Sequence, residues 1–131
     1  MQQAATEPST SRWAPTAFWV VALLGIPAAA VAWSWYGFAQ LEAQTEQGKA
    51  LAAGTTMAGF GEVLGGVPLL LAHLVGLIVL PLLGWLAYRG RGIALAVLAV
   101  CVASAIGVGI AQALFAGELF QLGINNDTYV P

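Results

Sequence analysis

The ten charged side chains of this 131-residue chain stand only at or beyond the ends of three uncharged stretches, Trp13–Leu41, Val63–Tyr88 and Gly92–Gly117. A helix crosses a bilayer with about 20 mainly apolar residues, and charge near the bilayer centre is costly. The spacing therefore predicts an all-α integral membrane protein with three transmembrane helices. Composition points the same way. Apolar residues make up 60% of the chain and charged residues 8%, whereas roughly a quarter of a soluble domain is charged. A soluble three-helix domain would also show a polar stripe on the outward side of each helix. These stretches are apolar all round.

The formal net charge is −2 and the four cationic residues are scattered. Nothing resembles the clustered Lys and Arg of a nucleic-acid footprint, so no nucleic-acid partner is expected. Cys101 is the lone cysteine, lies within a stretch, and reads as a small apolar packing residue. The first stretch is far longer than the core of a secretory signal and reads as an uncleaved span.

The expected organisation is a disordered N-terminal tail over 1–15 and a first span over 16–38. An extracytoplasmic connector, part helical, follows over 39–63. The second and third spans cover 64–88 and 93–117, and a polar C-terminal tail covers 118–131. The linker Tyr88–Gly92 is so short that the last two spans must form a tight antiparallel hairpin, with Gly90 and Gly92 permitting the reversal. Trp13 and Trp19 near one end of the first span, and Trp33, Trp35 and Tyr36 near the other, sit at the depths where interfacial rings are favoured.

Orientation follows from Lys and Arg in short loops. Arg12, Arg89 and Arg91 fall on one side; Lys49 falls on the other among Glu42, Glu46, Glu62, Glu118 and Asp127. This predicts a multi-pass protein of the cell membrane with a cytoplasmic N-terminus and an extracytoplasmic C-terminus.

Helices associate in lipid through small residues that let backbones approach. The third span carries one stripe of Ala99, Ala103, Gly107 and Ala111, and another of Ala105, Gly109, Ala113 and Gly117. Two such faces mark it as the central helix. Gly66 and Gly76 provide a small face on the second span, beside His73 and Gly84.

Few residues here can carry chemistry. His73 is the only histidine and lies mid-span, a position that suggests a functional group by default. It reads as a buried polar or proton-relay site, with Glu62 on nearly the same helical face about 16 Å away along the axis. The plainer alternative is a neutral His73 hydrogen-bonded to Ser104 at similar depth. No second histidine or cysteine cluster supports a metal or haem, so no cofactor is expected. Phosphate loops, nucleophile elbows and zinc-protease motifs are missing, and the chain is not expected to be an enzyme.

The expectation is a small non-catalytic accessory subunit, packed through its helices against a larger respiratory or transport complex in the bilayer. The alternative is a homo-oligomeric channel or small transporter with His73 on the pathway. Abundant Ala and Gly with a single Lys suggest a bacterial origin, by association only.

Overall fold

A computed structural model describes residues 12–123. Among them the regular structure is entirely helical: α1 (Trp13–Ala52), a π-helical turn (Glu62–Gly66), α2 (Val67–Tyr88) and α3 (Gly90–Leu114). Residues 1–11 of the expected N-terminal tail, and 124–131 of the C-terminal one, lie outside the described residues.

α1 outruns its expected span at both ends. Its 40 residues extend for about 60 Å at 1.5 Å per residue, against a hydrocarbon core of about 30 Å. The segment Leu41–Ala52 is polar yet made of good helix formers, so the backbone ladder continues where hydropathy falls. The helix stops where Gly54 takes a left-handed φ of 74°. Thr55 N–H then reaches Ala50 O at 2.9 Å and Gly54 N–H reaches Leu51 O at 3.0 Å. This is the paired closure of a Schellman motif. α3 closes in the same way, Gly117 N–H to Gln112 O at 2.7 Å, but with Ala116 in the left-handed position at φ 54°.

The π turn has an identifiable cause. Pro68 lacks an N–H, so the carbonyl of Leu64 loses the donor an α-helix would supply. The indole N–H of Trp35 donates to that oxygen at 2.7 Å. The helical register resumes from Val67, whose N–H bonds Glu62 O, five residues back.

Between α2 and α3 only Arg89 is non-helical, at φ 58° and ψ −139°. The sequence suggested that Gly90 and Gly92 would make the reversal. Instead Arg89 carries the strained conformation, and Gly92 serves a different need. Gly84 and Gly92 meet backbone to backbone, and a Cβ on either would strike the carbonyl of the other. Further along, Gly76 faces Val100 and His73 faces Ser104, so the contacts run in opposite chain directions.

Each helix packs against the other two, so α3 has no uniquely central place. Phe18, Ala22, Leu80 and Ala96 form a small core near the Arg89 end. Phe18 lies edge-on to Trp19 and Tyr88, and Trp19 donates to the Tyr88 hydroxyl at 3.0 Å. The apolar lengths of the helices are mostly exposed: only 17% of the apolar window of each long helix is buried. All three helices are long and apolar enough to cross a membrane.

The opposite end is tied by glutamines of α1 and α3. Gln47 is 2% exposed, donates to Thr56 Oγ1 at 3.1 Å and accepts from Met57 N–H at 2.7 Å. Gln44 accepts from Gly123 N–H at 3.2 Å, and Gln112 from Leu119 N–H at 3.2 Å. Part of the expected tail, residues 118–123, is thereby fastened to the helices, with Leu119 fully buried.

Candidate functional site

One polar side chain from each of the three helices converges on a single point. Trp33 comes from α1, His73 from α2 and Ser104 from α3. Trp33 Nε1 lies 3.0 Å from Ser104 Oγ, and His73 Nε2 lies 2.8 Å from the same oxygen. His73 Nδ1 lies 2.8 Å from the carbonyl of Leu69, one turn earlier in α2. The indole and imidazole rings also meet edge to face, with centroids 6.0 Å apart.

Donor and acceptor chemistry assigns the protons. An indole N–H only donates, so Ser104 Oγ accepts from Trp33. A backbone carbonyl only accepts, so His73 carries its proton on Nδ1 and gives it to Leu69 O. In the neutral ring Nε2 is then an acceptor, and the Ser104 hydroxyl donates to it. The tautomer is assigned from the network rather than observed. The chain of bonds runs one way, from Trp33 through Ser104 and His73 to Leu69, with every ring N–H used.

Among the described residues such a chain shows no onward carrier for a proton. It begins at an indole N–H, which does not act as an acid, and ends at an amide carbonyl. Its physical effect is to lock three helices at one depth. In hydrocarbon each interhelical hydrogen bond is worth about 0.6 kcal/mol, with a maximum near 1.7.

Glu62 is not part of this site. It is exposed at the start of the π turn and accepts weakly from Gln40 Nε2 at 3.5 Å. Gln40 also donates to the Tyr36 hydroxyl at 3.3 Å, while its buried Oε1 has no partner. His73 and Glu62 share no bonding partner, so the structure does not join the two residues that helical spacing placed on one face.

The small residues divide by face. Ala103, Gly107 and Ala111 are buried, and Ala99 packs against the core near Phe18. A Cβ on Gly107 would stand 2.8 Å from the backbone of Ala29 and 2.9 Å from the Trp33 ring. Gly76 faces Val100 at ordinary contact distance, 3.5 Å. Around Gly66 the space is open; the close approach expected there belongs to Gly65, whose Cβ would lie 2.9 Å from Ala39 and 3.0 Å from Tyr36 Cα. The second stripe, Ala105, Gly109, Ala113 and Gly117, is exposed throughout.

Sequence reasoning placed Trp33 at the interface as an anchor, and this misses its role. A tryptophan fifteen residues or more into an apolar stretch, opposite a serine at equal depth, was the available signal. Among the described residues, no three His, Cys, Asp or Glu side chains gather where a metal could be held. In the polar last turns of α1, beyond its apolar length, Glu46 holds the Lys49 ammonium above its ordinary range through a 2.7 Å hydrogen bond and its charge. That pair is a surface contact. No protein-family model matches the chain, and neither a curated protein nor a solved structure matches it.

Proposed function

We propose that the chain is a small, non-catalytic integral membrane subunit that packs against a larger respiratory or transport complex. The observation that carries this reading is the unused stripe of α3. Ala105, Gly109 and Ala113 lie exposed along one face, and nothing lies within 4 Å of the place a Gly109 Cβ would occupy. Small residues are what a second helix requires for close approach in lipid. Trp33, Ser104 and His73, by contrast, are consumed by one another.

In this reading α1, α2 and α3 cross the bilayer and α2–α3 is an antiparallel hairpin. Arg12, Arg89 and Arg91 gather at the end where Trp19 meets Tyr88, and Lys49 sits at the other with Glu42, Glu46, Glu62 and Glu118. The positive-inside tendency then makes the N-terminus cytoplasmic and the C-terminus extracytoplasmic in the cell membrane.

The test is purification from native membrane in mild detergent, with Gly109→Leu as the probe. Co-purifying chains are expected with the wild type and lost with the variant, at unchanged thermal stability. A monomer with no partner in either preparation overturns the proposal.

One observation favours a second reading, a homo-oligomeric channel or small transporter: His73 lines a cleft between α1 and α2. That reading requires His73→Ala to abolish flux, or its pH dependence, in reconstituted vesicles. Unchanged flux removes it.

A further inference from the structure

α1 and α2 do not close against each other along their full length. Gly25, Ala28 and Ala29 on α1 oppose Ala72 and Gly76 on α2, and these small side chains leave a cleft of about 250 Å³ backed by Ala103 of α3. A second, shallower depression continues it past Pro27 and Pro68 to Trp35, and shares Ala28 and Ala72 with the first. Together they make one crease on the outer side of the α1–α2 pair. From Val21 to Trp35 it runs about 21 Å along α1 at 1.5 Å per residue.

The chemistry of the walls decides what can fill it. His73 is the one titratable side chain in the crease, and both its nitrogens are taken, by Leu69 O and Ser104 Oγ. The Trp35 indole N–H is taken by Leu64 O. None of the lining residues stands four positions before a proline, so every lining carbonyl keeps a helical donor in register. The crease therefore offers no free hydrogen-bonding atom. A ligand with a polar group at this depth would bury it unpaired, at a cost of a few kcal/mol. Water is excluded for the same reason: an apolar cavity of about 150 Å³ already stays dry and takes benzene instead.

We propose that the α1–α2 crease seats one acyl chain of a bilayer phospholipid, lying parallel to the helices from Trp35 inward past His73. Its length exceeds the roughly 15 Å depth of one leaflet's hydrocarbon, half of the core thickness, so a single chain is accommodated whole. The seated chain covers the open side of His73 and keeps its network dry. This rests on the membrane reading above.

The experiment uses the full chain in phosphatidylcholine vesicles carrying a small fraction of phosphatidylcholine with a mid-chain diazirine. After photolysis the adducts are mapped by peptide mass spectrometry. Ala28 and Ala72 are both exposed, so Ala28→Leu with Ala72→Leu fills the crease without entering the core. Ala105→Leu with Ala113→Leu on the outer face of α3 is the control of equal bulk. Adducts are expected to concentrate on the crease in the wild type and the control, and to fall to the level of the other outer faces in the filled variant. Adducts spread in proportion to exposure, or unmoved by filling, overturn the seat while leaving the membrane reading intact. If no helix is labelled and alkaline carbonate strips the protein from the vesicles, the membrane reading fails and takes the seat with it.

Discussion

His73 Nε2 stands 2.8 Å from Ser104 Oγ, and the same oxygen receives the Trp33 indole at 3.0 Å, so one hydroxyl joins all three helices. Ser104→Ala leaves an indole N–H and an imidazole nitrogen unpaired together. The expected loss is about 1–2 kcal/mol of unfolding free energy, from two interhelical bonds in an apolar medium. Denaturant titration in detergent micelles measures it. An unaltered midpoint would mean that the three-way junction contributes nothing to holding the bundle.

The two small stripes of α3 make opposite predictions. Gly107→Ala drives a methyl into the Ala29 backbone and is expected to cost about 1–3 kcal/mol. Gly109→Ala meets open space and gains helix propensity, up to about 1 kcal/mol. Thermal unfolding of the pair should move in opposite directions. Equal shifts would refute the assignment of faces.

Arg89 and Ala116 both hold left-handed φ values without being glycine. Such positions cost about 1–2 kcal/mol in an L-residue. Arg89→Gly is expected to raise the stability of the isolated protein by about 1 kcal/mol after the entropy that glycine adds to the unfolded chain. Ala116→Gly should give a smaller gain of the same sign. A fall in melting temperature for both would show that neither conformation is strained.

Trp35 and Pro68 form a compensated pair. Trp35→Phe is expected to cost about 1 kcal/mol by orphaning Leu64 O. Pro68→Ala restores a backbone N–H in reach of that carbonyl, so the same Trp35→Phe change should cost much less in its background. A double-mutant cycle measures the coupling. Strict additivity would detach the indole from the proline.

Some of this was readable along the chain because it depends on solvent preference, a property each residue carries by itself. The three charge-free stretches located three long apolar helices, since charge and unpaired backbone are both excluded from hydrocarbon. Ser104 was legible as a partner for His73 from equal depth in adjoining helices. Hydropathy marks where a helix would leave a bilayer and not where its hydrogen-bond ladder ends. That is why the first helix passes its expected boundary at Phe38 and continues to Ala52.

What only the tertiary structure decided depends on rotation and register between helices, and one residue of register redirects a side chain by about 100°. That rotation separates Gly65, pressed on Tyr36, from Gly66, which faces open space. It also turns Trp33 inward to Ser104, where its position in the sequence resembles an interfacial anchor. It buries one alanine–glycine stripe of α3 and leaves the other exposed. The chain by itself determined that three apolar helices form. Their packing decided which polar groups satisfy one another and which faces are left over, because those outcomes rest on contacts between residues far apart in sequence.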